Sequence, residues 1–339
     1  MQTYAGIDLH SSNNFIGVID SDGKRLYGKR HSNDIEQVIK ALSPFRETLQ
    51  GVVVESTYNW YWMVDGLQEN DFSVLLANPS AIKPYTGLKY TDDKWDAFWL
   101  AHLLQLGLLP RGYIYPKQER PVRDMLRRRM MFVQQRTKII LSLQSMITRH
   151  LGQKYSGSSI KRFEDSAVEE LFNDPCLLLL AKNEMAMIRH LGNVIDDIES
   201  AVKKKVSLKD KYRILLTAPG FGKILSMTVM LEVGEIGRFE RVGNYSSYCR
   251  CVESKKISNG KKKGENNRKN GNRYLAWAYV EAANHAARSN LQAQRFFQRK
   301  MSKSNRALAT KALANKLSKA TYYMMRDQVA FDPEKLFHE

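Results

Sequence analysis

Four carboxylates in the first hundred residues have the types and spacing expected of a metal site. Glu55 ends the apolar run 51–54, which predicts a short strand buried on both faces. Asp8 follows a second apolar run, while Asp93 and Asp96 lie three apart at the start of a helical stretch and can share one face. Because a buried carboxylate is costly, Glu55 should have a cation partner or a catalytic role. Together these acids would hold two magnesium ions.

Each acid taken alone has an ordinary alternative. A carboxylate at a helix start is often a cap, and one in a loop is often a solvated charge. Asp92 directly precedes Asp93, so either residue could supply the ligand at that point. The metal interpretation rests on the strand and helix context that the four acids share.

A second set of reactive side chains lies in the most basic segment, residues 250–273. Ser254 and Ser258 stand there among lysines and arginines that could clamp a phosphodiester. A serine hydroxyl is a poor nucleophile unless its proton is removed and the charge on the phosphate is neutralised. The many Asn and Gly residues predict a loop, for which a flexible, solvated segment is the ordinary alternative.

The chain as a whole is strongly basic. It has 339 residues, with 53 Lys and Arg against 35 Asp and Glu, and a formal net charge of +18. This excess predicts a polyanionic partner, and nucleic acid ranks ahead of a membrane surface because no amphipathic anchor accompanies the charge. No apolar run reaches transmembrane length and no signal peptide begins the chain, so a cytoplasmic location is expected. The three cysteines match no disulfide or zinc pattern, and Cys249 and Cys251 are interpreted as packing residues.

The elements that must position the acids alternate between strands and helices. The pattern predicts strands ending at Asp8, over 15–19, from Arg25, ending at Glu55 and over 72–76, with helices over 35–42 and 58–67. The strand from Arg25 is basic and should be at least half exposed. This order is expected of a ribonuclease H-like fold, a mixed sheet flanked by helices. The apolar helix that starts at Asp96 should pack on the sheet and carry Asp93 towards Asp8.

Beyond Pro116 the chain changes to long helices. A heptad pattern runs from Leu126 to Leu151, broken by two polar positions, and a second runs from Ile188 to Val202. The two seams are compatible with an antiparallel hairpin, with a dimeric coiled coil or with two ordinary core helices.

A second compact region follows residue 208. The turn Pro219-Gly220-Phe221-Gly222 and the following Lys223 resemble the turn and second helix of a helix-hairpin-helix, in which glycines let backbone N–H groups approach phosphate. The glycine that a P-loop needs is replaced by Thr217, which excludes that nucleotide-binding motif. Helices over 274–287 and 308–325 should complete the region.

Several short motifs together resemble one protein family over nearly the whole chain. They are Gly6-Ile7-Asp8, Val54-Glu55-Ser56-Thr57, Asp93-Lys94-Trp95-Asp96-Ala97, Pro219-Gly220-Phe221-Gly222, Ser258-Asn259-Gly260-Lys261 and Gly271-Asn272-Arg273-Tyr274-Leu275. In order and spacing they are similar to the transposases of insertion-sequence family one-hundred-and-ten, within its eleven-eleven subgroup. Each motif alone is weak, and their arrangement is specific.

The resemblance implies a fold and a catalytic site. It implies a RuvC-like domain over 1–115 with a DEDD tetrad, a basic helix and coiled-coil connector over 116–208, and a mainly helical transposase domain with a catalytic serine over 209–339. The tetrad would be Asp8, Glu55, Asp93 and Asp96 with Mg²⁺, and the serine Ser258. The subgroup usually has Ser-Gly-Gly where this chain has Ser258-Asn259-Gly260, and Ser254 also fits a family pattern.

The resemblance also implies partners: element-junction and target DNA, a guide RNA encoded by the element, and a homo-oligomer, dimer or tetramer, in which the acids of one protomer serve the serine of another. Two other functions stay open, a metal-dependent nuclease of the Holliday-junction-resolvase type and a non-catalytic nucleic-acid scaffold. The residues expected to contact nucleic acid are Arg127, Arg128, Arg129, Gly220, Gly222, Lys223, Lys261, Lys262, Lys263, Arg268, Lys269 and Arg273.

Overall fold

The computed structural model describes residues 1–82, 92–264 and 270–337. The chain forms two compact units: unit 1 comprises Met1–Lys117 and Ser254–Asn270, and unit 2 comprises Gln118–Glu253 and Gly271–Glu339. The segment that carries Ser258 thus groups with the unit that carries the acids. The division into three functional domains at residues 115 and 208 stays a prediction.

Unit 1 is built on a mixed sheet of six strands in the order β3-β2-β1-β4-β5-β6. β1 pairs antiparallel with β2 and parallel with β4, and the outer pairs β2–β3 and β5–β6 are antiparallel. The expected mixed sheet is therefore present, and β6 is a short edge strand that the sequence pattern did not predict. The strands are β1 (Thr3–Leu9), β2 (Asn13–Asp20), β3 (Arg25–Ser32), β4 (Leu49–Glu55), β5 (Val74–Ala77) and β6 (Arg111–Gly112).

Helices cover both faces of this sheet. They are α1 (Ile35–Leu42), α2 (Trp60–Glu69) and α3 (Asp93–Gln105). Alternate residues of a strand point to opposite faces. On β1, Ala5, Ile7 and Leu9 join the core shared with α1 and α2. Gly6 and Asp8 therefore face the other side, where α3 lies.

Three glycines paired across β1, β2 and β3 provide the space for α3. Gly6 pairs with Gly17, and Gly17 pairs with Gly28. A Cβ on Gly6 would come within 2.1 Å of the carbonyl oxygen of Ala97, so the backbones of β1 and α3 approach as closely as only glycine allows. The ring of Phe98 covers the other two glycines. This row of glycines sets the position of the first turn of α3, and with it Asp93 and Asp96.

The described part of unit 2 contains helices and no β-strand. Its helices are α4 (Arg120–Leu151), α5 (Gly157–Ile160), α6 (Asp165–Glu169), α7 (Pro175–Val206), α8 (Asp210–Leu215), α9 (Lys223–Val233), α10 (Val242–Tyr248), α11 (Arg273–Ser289), α12 (Leu291–Met301), α13 (Arg306–Asp327) and α14 (Pro333–Leu336). α5 is a short helix capped by Ser156, whose hydroxyl oxygen accepts a hydrogen bond from the backbone N–H of Ser159.

The two heptad helices, α4 and α7, pack against each other in antiparallel orientation. Arg129 donates to Glu199, and Ser142 donates to Glu184, so residue numbers rise along one helix as they fall along the other. The seam residues Ile140, Ile147, Ile188, Ile195 and Val202 are buried within this single chain. The sequence left open an antiparallel hairpin, a dimeric coiled coil and two ordinary core helices. The packing agrees with an antiparallel pair formed within one chain.

The glycine turn before α9 has a packing role. Gly220 has a φ of +80°, and a Cβ there would come within 2.1 Å of the carbonyl oxygen of Ala282 on α11. The adjacent core contains a chain of buried hydroxyl groups. The hydroxyl oxygen of Tyr279 lies 2.6 Å from that of Tyr245 and 2.6 Å from Oγ1 of Thr321. Gly220 is therefore required by the close approach of α11, whatever else it contacts.

The basic segment around Ser258 is a hairpin, where a loop was expected. β7 (Lys256–Ser258) pairs antiparallel with β8 (Lys261–Gly264), and both residues of the Asn259-Gly260 turn have positive φ. That conformation is a type I′ turn, for which Asn-Gly is the favoured sequence. Ser258 ends β7 directly before the turn and is exposed.

The residues that flank this hairpin form a closed neck within unit 2. The Arg250 guanidinium donates two hydrogen bonds to the carbonyl oxygen of Gly271, and the backbone N–H of Asn272 donates to the carbonyl oxygen of Tyr248. Gly271 fits here with a φ of +90°, because a Cβ would come within 2.5 Å of that Tyr248 oxygen. The two ends of the segment are thus held side by side.

No helix in the described ranges is both long and apolar enough to cross a membrane. Cys249 and Cys251 are buried in the core of unit 2, which confirms their interpretation as packing residues. Desolvation raises the pKa of the Cys251 thiol to about 12.

Replacing Gly6 by Ala tests the close approach of β1 and α3. Because the new Cβ would meet backbone atoms of α3, which cannot rotate away, we expect the free energy of unfolding to fall by about 3 kcal/mol, the upper end of the range for overpacking. Urea denaturation measures the change. Gly243→Ala is the control, since a Cβ there meets nothing within 4 Å. Equal stability of the two variants would contradict the packing described.

Candidate metal centre

The carboxylates meet where β1 and β4 end and α3 begins. Ile7 pairs with Val54 in the parallel register, so the following residues, Asp8 and Glu55, come side by side on the α3 face of the sheet. The first turn of α3 contributes Asp93 and Asp96. Helix N-termini favour negative charge, which makes this a suitable place for two acids.

Asp8 is the most deeply buried of the four acids. Its side chain is 5% exposed, compared with 31% for Asp93, while Glu55 is half-buried and Asp96 exposed. The sequence had suggested Glu55 as the costly buried carboxylate, and the structure assigns that place to Asp8. The reason is that Asp8 lies under α3 beside Gly6, whereas Glu55 lies at the open end of β4.

Burial and neighbouring acids alter the protonation of Asp8. Desolvation raises the pKa of Asp8 to about 7, with further increases from a hydrogen bond to Glu55 and from the negative charges of Glu55 and Asp93, against a decrease from His10. The pKa of Asp96 is also raised, first by desolvation and then by the charges of Asp8, Asp93 and Asp92. The pKa values of Asp8 and Asp96 are thus both raised by the negative charges of neighbouring acids.

His10 lies between two of these acids. Its Nε2 atom is 3.2 Å from Oδ2 of Asp8 and 3.1 Å from Oδ1 of Asp93. Two amide side chains hold the loop that carries it, because Asn33 and Asn59 both donate to the carbonyl oxygen of His10. Neither His10 nor these amides were among the residues predicted from sequence.

Arg30 on β3 also contacts the cluster. Its Nη2 atom donates to Oδ2 of Asp93 at 2.6 Å. Asp92, in contrast, caps α3 by accepting a hydrogen bond from the backbone of Trp95. This capping role accounts for Asp92 and favours Asp93 as the member of the cluster.

The donor set fits a divalent cation. Oxygen atoms of Asp8 and Asp93 and a ring nitrogen of His10 lie within 4.8 Å of one another. Within the described part of the chain, Oδ2 of Asp8 is buried and forms no hydrogen bond, although Nε2 of His10 lies 3.2 Å away. A metal ion would satisfy this buried carboxylate oxygen and offset the repulsion among the acids.

Ser258 is on the separate β7–β8 hairpin and is not one of the residues in this cluster. Ser258 pairs with Lys261 across the two strands, which places the lysine beside it. Lys261 and Lys263 are exposed. The side chain of Lys262 and all of Arg268 and Lys269 lie outside the described residues.

The other residues expected to contact nucleic acid differ in what they bind. Arg127 makes two hydrogen bonds, of 2.6 and 2.7 Å, to the carboxylate of Glu232, which is 3% exposed, and Asn272 also donates to that carboxylate. Arg129 is paired with Glu199. Arg128, Lys223 and Arg273 are exposed, as is Gly222 at the N-terminus of α9.

Two family models match the chain on either side of residue 200. One, from the DEDD transposases of the IS110 group and described as a transposase, matches residues 5–151, which include all four acids. The other, described as the transposase IS116/IS110/IS902 family, matches residues 212–298, which include Ser258. The chain belongs to this transposase family. No curated protein matches it in sequence.

Family membership gives the general activity of the protein. It is a DNA transposase of an insertion sequence, and DNA is its substrate. The acidic cluster lies within the part that the DEDD model matches, where such domains usually depend on a metal ion. The basic charge of the chain agrees with a DNA substrate.

Replacing Asp8 by Asn tests its burial through the pH dependence of stability. In the metal-free protein, folded Asp8 keeps its proton up to about pH 7, whereas the unfolded chain loses it near pH 4. Rising pH between these values therefore destabilises the wild type. We expect the free energy of unfolding of Asp8→Asn, measured relative to that of wild type, to rise by about 3–4 kcal/mol between pH 4 and pH 8.

Urea unfolding in the presence of a chelator measures this difference. Asp197→Asn is the matched control, because Asp197 is exposed on α7. A stability difference between wild type and Asp8→Asn that does not change with pH would show that the carboxyl of Asp8 is not held as described.

Arg127 and Arg128 are adjacent and allow a direct comparison. Arg127→Ala leaves the buried carboxylate of Glu232 without its charge partner, so we expect a loss of about 3–5 kcal/mol in the free energy of unfolding. Arg128→Ala should leave stability within about 0.5 kcal/mol and weaken nucleic-acid binding. Urea denaturation and fluorescence anisotropy separate the two roles. Unchanged DNA affinity in Arg128→Ala would remove that residue from the nucleic-acid interface.

Proposed function

We propose that this transposase cleaves and exchanges DNA strands by nucleophilic attack of Ser258, supported by Mg²⁺ held by Asp8, Glu55, Asp93 and Asp96. The single observation that carries the metal centre is the buried Oδ2 atom of Asp8, which has no hydrogen-bond partner among the described residues. His10 adjoins the same atoms and would complete the donor set. The strand order with β1 at the centre supports a RuvC-like identity for unit 1.

The residues around the nucleophile suit a phosphodiester substrate. Bound Mg²⁺ supplies Lewis-acid stabilisation of charge on the phosphate and lowers the pKa of a neighbouring hydroxyl. Lys261, opposite Ser258 in the hairpin, would neutralise a phosphate oxygen. Ser258 lies before a type I′ turn and is exposed, so DNA can approach its hydroxyl group.

The reaction consists of two transfers at one phosphorus atom. The Oγ atom of Ser258 loses its proton and forms a bond to phosphorus, while the bond between phosphorus and a deoxyribose oxygen breaks and that oxygen takes up a proton. The product is a phosphoserine. A free hydroxyl of the partner strand then attacks the same phosphorus and releases Ser258. The number of phosphodiester bonds is conserved, so no external energy source is needed.

The position of Ser258 supports it over Ser254 as the nucleophile. Ser258 ends a strand of the hairpin, whereas Ser254 precedes the hairpin and is half-buried. Both belong to the segment that groups with unit 1. By resemblance to the family, we further propose a guide RNA, a dimer or tetramer in which acids and serine act in trans, and a cytoplasmic location.

Covalent attachment to DNA tests the nucleophile. Wild-type protein incubated with Mg²⁺, element-junction DNA and copurifying RNA should give a DNA-linked species on a denaturing gel, with the adduct on the peptide that contains Ser258 by mass spectrometry. Ser258→Ala should abolish it, because no oxygen remains to attack, and the control Ser254→Ala should retain it. Cleaved DNA without an adduct would instead indicate a nuclease of the resolvase type that activates water.

The same gel tests the trans arrangement. Asp8→Asn and Ser258→Ala proteins are each expected to be inactive alone. A mixed oligomer contains one complete site if acids and serine come from different protomers, so the adduct should reappear at a fraction of the wild-type level. Mixed oligomers that give no adduct would support a site formed within one chain.

A further inference from the structure

Two tryptophans on α3 present a partly exposed aromatic surface next to the acidic cluster. Trp95 lies between Asp93 and Asp96 in the chain, and its ring stacks on that of Trp99 with centroids 5.4 Å apart and planes inclined by 18°. Both side chains are half-buried. The next turn of the helix continues the surface, because the Trp99 and His102 rings are 5.9 Å apart. Three rings therefore line one side of α3.

A pocket of about 160 Å³ opens between these rings and the β2–β3 hairpin. Its lining includes Trp95, Phe98, Trp99 and His102 of α3 together with Gly23 and Arg25. A volume of this size accommodates one aromatic ring in a closed cavity. This pocket is open to solvent, so part of a larger ring system could extend beyond it.

A bulge in β3 turns Arg25 towards the pocket. Tyr27 pairs with Val18, but the next pair joins Arg25 to Ile19, so Leu26 is the extra residue on β3. Such a bulge reverses the alternation of side chains beyond it. Arg25 therefore shares the α3 face with Gly28 and Arg30, and its guanidinium lies 4.3 Å from the centre of the Phe98 ring. A regular strand would have pointed Leu26 at the pocket instead.

The edge strand β3 connects the pocket to the acidic cluster. Arg25 lines the pocket, and Arg30 binds Asp93. They are five positions apart, but Leu26 is the extra residue of the bulge, so the distance along the strand is about 14 Å. Lys24 is exposed beside Arg25, and β3 itself carries no acidic residue. Lys29 alternates with Gly28 and Arg30 and therefore lies on the opposite face of the sheet. A single nucleic-acid strand could follow Arg25 and Arg30 over a few nucleotides.

We propose that this pocket binds an unpaired nucleobase a few nucleotides from the reactive phosphodiester. Trp95 and Trp99 provide the stacking surface, and Arg25 and its neighbours neutralise the backbone phosphates. Aromatic stacking combined with a basic track is the usual way in which proteins bind single strands. The base could belong to DNA or to RNA, since both present the same aromatic faces. This proposal needs a nucleic-acid substrate but is independent of the serine chemistry and of Mg²⁺.

Fluorescence anisotropy with the full-length protein in a chelator tests the proposal. The probes are a single-stranded DNA, an RNA of the same sequence and the corresponding DNA duplex. Trp95→Ala should weaken binding of the single strand that uses the pocket about tenfold or more, while duplex affinity stays unchanged. Trp95→Phe keeps an aromatic face and should remain within about twofold of wild type. Trp62→Ala is the control, because Trp62 is also half-buried but lies on α2.

Each outcome decides for or against the pocket. A loss confined to DNA or to RNA supports the proposal and identifies the strand, and a loss with both supports it for either. Wild-type affinity of Trp95→Ala for both single strands overturns it, as does an equal loss for the duplex or for Trp62→Ala. If Trp95→Ala unfolds at a lower temperature than wild type, the binding test uses Arg25→Gln in its place. Arg25 is exposed on β3, and the same pattern of losses is expected.

Discussion

The contact between β1 and α3 at Gly6 is the constraint on which the rest of unit 1 depends. The two backbones approach so closely that no other residue fits at this position. Because Asp8 is two residues beyond Gly6 on the same face of β1, the close approach also buries Asp8 beneath the start of α3. Phe98 then fills the space above the other two glycines and meets Arg25. One steric requirement thus determines both the position of the acidic cluster and the wall of the adjoining pocket.

The cluster that results is electrostatically unfavourable in the protein alone. Desolvation and mutual repulsion raise the pKa of Asp8, and among the described residues His10 and Arg30 lie against the acids. A protein selected for stability alone would place an apolar residue at the position of Asp8. Retaining an acid there is the kind of local conflict that functional sites show. A bound cation would convert this repulsion into attraction, so the same carboxylates that weaken the fold would hold the metal.

Much of unit 1 could be predicted from its sequence, because apolar periodicity indicates its strands and helices. The convergence of the acids could be predicted for the same reason, since each lies where a strand ends or a helix begins. The depth to which each carboxylate is buried was not predictable. Asp8 is more deeply buried than Glu55 because of packing between elements that are distant in sequence. His10 was missed because a lone histidine in a loop gives little signal. Arg127 looked like a free cation because its partner, Glu232, lies 105 residues away.

The neck formed by Arg250 and Gly271 has a consequence for how this part of the protein can vary. A segment whose two ends are already joined contributes little to the packing of the helices that hold it, and its closure costs little extra entropy as it lengthens. The residues between the two ends can therefore be exchanged, extended or shortened while α10 and α11 keep their places. Related enzymes could diversify here without redesigning their cores, and grafting this loop between them is a practical route to altered recombinases.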